Sequence, residues 1–475
     1  MASAWNIIWL MVDRLKPKLA DRRAERLEDV YRTLLEEPLQ TNELDTFYES
    51  SVIQARGEDS TARLALQLRD AYRGPFFKIF FSGNTATGKS TEITRLLRML
   101  EPSFRGVRID VRKWVNPSNL EAHEVLLAIV FEMSTAMAEA VQEFELQAEP
   151  DPDLIERIQH WLTEAEYVHK LEDQGTIEGK WSWLSKIGFD VSVQAKSSNT
   201  FTTETREKQR RKFSDLLNLT NQFLIQCYEI LGYQTHEPEW LIVVEELDKS
   251  ASLPRLRELL QNEPLFRELQ CHLICNIPSA ARREEVGVNL PLDVQPIYDI
   301  PVVNVDHKEN ENGVKAVAAV LARRLDPRLF AEGELERVAI GSGGNFRTLF
   351  RLVSRAVMQA RLRSADNQKI ISTDVTVALN QLREEYRQRL GQSGFGADPE
   401  EITTEKKLAR LEQVYNQLPG HDIKDPILDK LIAAGAVQEF NGTVRRVVHP
   451  LVVDLLGEQG KASQNENGTY AGGTR

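Results

Sequence analysis

Nine consecutive residues carry the densest chemistry in the chain. Gly83, Asn84, Thr85, Ala86, Thr87, Gly88, Lys89, Ser90 and Thr91 fit the spacing Gly-x-x-x-x-Gly-Lys-[Ser/Thr]. Glycines at those positions let backbone N–H groups close around phosphate oxygens, and a helix starting there adds its positive dipole end. The pattern assigns Lys89 to the β- and γ-phosphates and the Ser90 hydroxyl to magnesium. The flanks agree: Phe76–Phe81 (FFKIFF) reads as a buried strand, and Ile93, Leu96, Leu97 and Leu100 follow at helical spacing.

Further positions fit the same chemistry. LIVVEELDKS, Leu241 to Ser250, runs four apolar residues into adjacent carboxylates. Glu245 is suited to the magnesium water shell and Glu246 to polarising an attacking water. The usual first residue is Asp, and the extra methylene of Glu245 displaces its carboxylate, which slows hydrolysis without abolishing binding. CHLICNIP places Asn276 at a strand's carboxyl end, where it can hydrogen-bond the attacking water or the γ-phosphate. In GSGGNFRTLF, Arg347 opens a helix with a planar fork that fits a phosphate clamp. Arg282 and Arg283 are candidates for a finger acting in trans on a neighbour's γ-phosphate, or equally for surface ion pairs.

Positioning these groups requires a parallel sheet. Five short apolar runs suit buried strands: Phe76–Phe81, Val107–Val111, Leu241–Val244, Cys271–Asn276 and Ile297–Val303. Helical segments alternate with them, so the expected fold is α/β, doubly wound around a parallel five-stranded core, residues 45–140 and 203–309. The interval between the second and third runs exceeds what a crossover needs, which marks 141–202 as an insertion. It holds a helix near 153–172 and an alternating strand or hairpin from Ile187 to Ala195. A long helix, about 203 to 231, leads back. Its basic run, Arg206 to Lys212, reads as a solvated face, with a subunit or anion contact as the alternative.

Before the core, residues 1–44 form an N-terminal helical segment, with an amphipathic helix over 18–37. After it come four helices, near 311–325, 332–341, 345–364 and 372–390, expected as a lid over 310–390. The linker GQSGFGADP then precedes a unit at 398–456. Two helices and a hairpin signal at Asn441-Gly442 suggest a winged helix. Residues 457–475 lack core-forming side chains and read as a disordered tail.

Composition sets the remaining bounds. At 475 residues there is room for about three domains. A net charge of −12 gives no whole-chain attraction to nucleic acid or anionic membrane. Three cysteines, Cys227, Cys271 and Cys275, lie in apolar segments with no metal-ligand spacing, which fits a reducing cytoplasm. The apolar run at 4–12 is too short to span a bilayer and reads as a docking helix. No Asn-Lys-x-Asp element for guanine is present, which points to ATP rather than GTP.

The order GNTATGKST, LIVVEELDK, LICNIP, GGNFR and a winged-helix-like tail resembles the AAA+ and STAND ATPases (ASCE-type P-loop proteins). Within them it looks closest to the replication-initiator branch and to bacterial STAND-like ATPases of conflict and antiviral defence. The resemblance covers roughly 45 to 456, apart from the insertion. It implies an ATP- and magnesium-dependent ATPase core with a helical lid, and a sensor-one role for Asn276 and sensor-two role for Arg347. It also implies nucleotide-dependent homo-oligomeric assembly.

Three functions fit: a nucleotide-dependent switch acting on a separate protein partner, a DNA-binding initiator or loader, and a scaffold that binds nucleotide without cycling. Acidic side chains outnumber basic ones between Asp398 and Asp454. The expected recognition helix ILDKLIAAGA offers only Lys430 to DNA, which disfavours the second. Arg445 and Arg446 on the hairpin keep a backbone contact open.

Overall fold

A computed structural model of the chain describes residues 19–72, 76–114, 120–146, 149–165, 203–235, 239–247, 253–279, 297–306, 310–363, 369–391, 402–423, 425–440 and 445–458. Two compact units emerge: Ser60–Gly83 with Arg95–Asp299, and Met1–Asp59 with Asn84–Thr94 and Ile300–Arg475.

The first unit is built on a five-stranded parallel sheet. Its strands are β1 (Lys78–Gly83), β2 (Phe104–Asp110), β3 (Glu239–Glu245), β4 (His272–Pro278) and β5 (Tyr298–Asp299), in the order β2-β3-β4-β1-β5. Every residue of β1 is buried, as a strand covered on both faces requires. β5 is shorter than its apolar run suggests. β1 pairs with it only at Phe81↔Tyr298 and Ser82↔Asp299 before the chain leaves the sheet at Gly83, so Val302 and Val303 have no strand to extend.

The long interval between β2 and β3 holds a helix that the sequence pattern concealed. Ala122–Glu143 is apolar nearly all round, with Val125 to Phe131 buried without a break. It packs against β2 and the helix Phe213–Thr235. The expected single helix over 203–231 is two, Thr203–Arg211 and Phe213–Thr235. At the junction the Lys212 carbonyl accepts the indole N–H of buried Trp161 at 3.0 Å. Pro152–Glu164 supplies the expected insertion helix, and the alternating stretch at 187–195 lies outside the described residues.

The basic run at 206–212 is used inside the unit. Arg206 and Arg210 reach Glu121 at 3.2 and 2.9 Å, Arg211 reaches Glu207 at 3.3 Å, and Lys212 pairs with Glu164. Burial raises the Glu121 pKa, but the guanidiniums of Arg210 and Arg206 outweigh it and hold the carboxyl below its usual value. Beside it, burial lowers the His123 pKa to about 4 and raises that of Glu124 to about 8. Burial likewise pushes Cys271 up to about 12 and Cys227 well above its ordinary value, so these thiols are inert.

Glu124 gives a signed pH prediction. Its folded pKa lies above the unfolded one, so its contribution is full below about pH 4.5 and is lost as pH rises toward 8. The side chain also accepts the Glu121 N–H at 2.8 Å, a bond that glutamine can keep. Glu124→Gln is therefore expected to match the wild type near pH 4 and to exceed it at pH 8 by on the order of 4 kcal/mol. Urea unfolding at the two pH values measures this; a pH-independent difference would rule it out.

The second unit is largely helical. Glu311–Arg324, Glu334–Gly341, Phe346–Arg363 and Ser372–Gly391 form the region expected as a lid. Thr404–Tyr415 and Pro426–Ala433 precede an antiparallel pair, β6 (Val437–Phe440) and β7 (Arg445–Val448), and then the helix Pro450–Glu458. The Asn441-Gly442 turn and the tail beyond Glu458 lie outside the described residues.

The expected helix over 18–37 is replaced by extended and turn structure around a short 3-10 turn, Leu27–Arg32. Tertiary pairing wins there over helical periodicity. Ala24 N–H donates to the Arg324 carbonyl and Asp326 N–H donates to the Ala24 carbonyl, both at 2.8 Å. Arg324 itself is buried over the rings of Phe350 and Phe47, and donates to the Thr33 carbonyl at 2.9 Å. Among the described residues no helix is long and apolar enough to cross a membrane, and the 4–12 run lies outside them.

Candidate nucleotide-binding site

β1 ends at Gly83, and the chain turns through Asn84–Gly88 into the helix Lys89–Leu100. The loop is inward-facing: Asn84, Thr87 and Lys89 are all buried. Ala86 at φ 63° and Gly88 at φ 93° occupy the left-handed region, which curls the backbone into a concave turn. The Lys89 ammonium donates to the Asn84 carbonyl at 3.0 Å, as does the Thr87 hydroxyl.

The loop is held by the remote parts of its own unit. Asn345 Nδ2 donates to the Thr85 carbonyl at 2.8 Å, and Phe346 N–H donates to the Ala86 carbonyl at 3.1 Å. Both precede or open the helix Phe346–Arg363 that carries Arg347. Leu39 N–H donates to the Thr91 hydroxyl at 3.3 Å. A cavity of about 200 Å³ borders Asn84, Thr85 and Ala86 on one side and Asn345, Arg347 and Thr348 on another. Arg347 Nε lies 3.0 Å from Glu36 Oε2, and Arg351 holds the same carboxylate through Nε at 2.7 Å.

The turn before that helix is anchored to the C-terminal elements. Gln438 Nε2 donates to the Gly343 carbonyl at 2.8 Å, and His449 Nε2 lies 3.0 Å from the Ser342 carbonyl. His449 has no exposure, and burial lowers its pKa to about 4, so it is neutral and Nε2 carries the proton.

Within the sheet unit the other expected groups share one edge. The register sets Asp110 beside Glu245 and Phe81 beside Asn276, so the carboxyl ends of β1, β2, β3 and β4 coincide. Asn276 is buried, and its Oδ1 accepts no hydrogen bond among the described residues. A buried acceptor left in that state fits a site completed by a ligand or its water. Two arginines there were not singled out from the sequence. Arg108 Nε donates to Glu245 at 2.6 Å. Arg112 holds Asp110 at 2.9 to 3.0 Å and lies 3.3 Å from Glu246 Oε2. Glu246 sits at φ 67°, an unusual backbone state for a non-glycine residue, which re-aims its carboxylate just past the strand. The alternation of VRIDVRK was the only available signal for the arginines. Arg282 and Arg283 lie outside the described residues.

A glycine-rich turn that leaves an interior strand of an all-parallel sheet and enters a helix whose first residue is a buried lysine defines a P-loop α/β nucleotide-binding fold. No protein-family model matches the chain, and no curated protein matches it. Among solved structures it is similar to a Walker-type ATPase of Pyrococcus abyssi, at 13% identity and a TM-score of 0.43, over 90% of this chain and 99% of that one. It is also similar to the Orc1 protein of Aeropyrum pernix in complex with DNA, at 14% and 0.35, over 84% and 92%. A third is the RuvB Holliday junction branch migration motor of Thermotoga maritima, at 11% and 0.31, over 84% and 93%.

Proposed function

We propose that the chain is an AAA+/STAND-like ATPase that binds ATP with magnesium and hydrolyses it slowly, using the nucleotide state to control assembly with copies of itself and a separate protein partner. The observation that carries this reading is the phosphate loop tied to the lid helix through Asn345 and Phe346. A nucleotide held by that loop is thereby reported directly to the element bearing Arg347. Bound magnesium supplies charge neutralisation at the phosphates. By the roles their sequence motifs assign, Gly83–Thr91 would bind and orient the phosphates, Ser90 and Glu245 would hold the metal and its water shell, Glu246 would accept the proton of the attacking water, and Asn276 would orient that water. Slow turnover is consistent with Glu245 and Glu246 being engaged by Arg108 and Arg112, in addition to the longer Glu245 side chain. A role in antiviral defence belongs to the same reading as its biological setting.

The DNA-binding alternative loses support from the C-terminal elements. Arg446, one of two hairpin cations, is buried against Glu439 at 3.1 Å and also donates to the Asp422 carbonyl. Lys407 and Arg410 are buried as well, donating to the Leu390 carbonyl and pairing with Asp425. Cations spent internally are not available to phosphates.

The deciding experiment is native mass without nucleotide, with ADP, and with ATP plus magnesium. An ATP-specific shift to larger species is expected. A mass indifferent to nucleotide would reject the assembly switch. For the chemistry, Glu246→Gln is expected to keep ATP affinity while turnover falls at least about a hundredfold. Unchanged turnover would move the general base elsewhere.

A further inference from the structure

We infer that Arg56, far from the loop in sequence, is a positioning residue for the nucleotide phosphates. The inference rests on the nucleotide-binding reading above. Its guanidinium closes the short helix Ser51–Arg56 and is only 4% exposed. One Nη donates to the Thr87 carbonyl, and the other lies 3.4 Å from Glu92 Oε1. Glu92, also buried, accepts the Tyr48 hydroxyl at 2.8 Å. The guanidinium carbon sits 5.8 Å from the centre of the Phe346 ring, and a Cβ on Gly88 would stand 3.4 Å from that ring.

Arg56 thus completes a series. The carbonyls of Asn84, Thr85, Ala86 and Thr87 accept from Lys89, Asn345, Phe346 and Arg56 in turn. In a trans peptide the N–H points opposite to the C=O of the same unit. Fixing four successive carbonyls therefore fixes the direction of the four following N–H groups, which are the phosphate donors. The Thr87 carbonyl shares its peptide plane with the N–H of Gly88, which sits at φ 93° and, lacking a Cβ, is the loop residue freest to rotate. Arg56 is the clamp on that plane. The planar fork reaches the carbonyl with one Nη and the carboxylate with the other, at a fixed separation; an ammonium would have to reach both from a single nitrogen on a flexible stem.

The test is calorimetric titration of the full chain with Mg-ATP and Mg-ADP, alongside nucleotide-free melting. Arg56→Lys is expected to weaken both nucleotides about tenfold, the scale of one charge-assisted hydrogen bond. Glu92→Gln, which keeps an acceptor for Tyr48 but loses the charge that holds the guanidinium, should weaken both in the same direction by about threefold. A merely structural role would lower the melting temperature and leave the dissociation constants of the folded protein unchanged, and that result overturns the inference. If Arg56→Lys does not fold, Glu92→Gln decides by the same criterion. A wild-type chain that binds neither nucleotide would reject the nucleotide reading itself, and the inference with it.

Discussion

Lys89→Ala is expected to weaken ATP binding by at least about a hundredfold while leaving the fold in place. The side chain is buried, and its ammonium is already turned into the loop at 3.0 Å from the Asn84 carbonyl. A unit charge about 4 Å from another at a protein surface interacts by about 4 kcal/mol. Phosphate carries more than one charge, so even after desolvation the loss should exceed about 2.7 kcal/mol, the equivalent of a hundredfold. Alanine favours the first turn of the helix Lys89–Leu100, so folding is not at stake. Titration with a fluorescent ATP analogue, checked by circular dichroism, measures the effect. Wild-type affinity in the variant would remove the phosphate assignment from this loop.

Gly344→Ala is expected to destabilise the second unit by at least about 3 kcal/mol. Two causes add. The residue sits at φ 78°, where a side chain costs about 1–2 kcal/mol. A Cβ there would also fall 2.0 Å from the Val303 carbonyl oxygen, a backbone atom that cannot swing aside. Gly333 separates the causes: it has φ 77°, yet nothing lies within 4 Å of its would-be Cβ. Gly333→Ala should therefore lose only the conformational part, about 1–2 kcal/mol. The Gly344 variant should also bind ATP more weakly, because the displaced turn carries Asn345 and Phe346 away from the Thr85 and Ala86 carbonyls. Denaturant unfolding of both variants tests this. Equal losses would show that the Val303 contact costs nothing.

The parts of the fold that were legible in sequence are those with a one-dimensional signal. β1, β3 and β4 are buried on both faces, so each reads as a largely apolar run ending in a polar group, interrupted in β1 by the buried Lys78, and the runs mark the strands to within a few residues. Glu245 and Asn276 fall at the same sheet edge because each closes such a run. The first half of the helix Ala122–Glu143 is buried on every side through Phe131, so its apolar run gives no helical periodicity to reveal it. Ala24 was misread for the opposite reason: a helical spacing of apolar residues was present, but its backbone is claimed by Arg324 and Asp326 some three hundred residues away. Arg56 and Glu92 could not be found by pattern, since each is a single charged residue on a short or ordinary helix. Their meaning comes only from meeting one another and the Thr87 carbonyl.

The four capped carbonyls also bear on transplantation. Gly83–Thr91 is short enough to graft onto the strand–helix turn of another α/β protein, and the graft would reproduce every residue of the motif. It would carry only one of the four caps, Lys89; the donors on the other three carbonyls belong to Arg56, Asn345 and Phe346. Such a chimera would keep the lettering of the loop and lose the stiffness that aims it. On the proposed reading, competence to grip phosphate would be a property of the host fold, and the nine residues its visible signature.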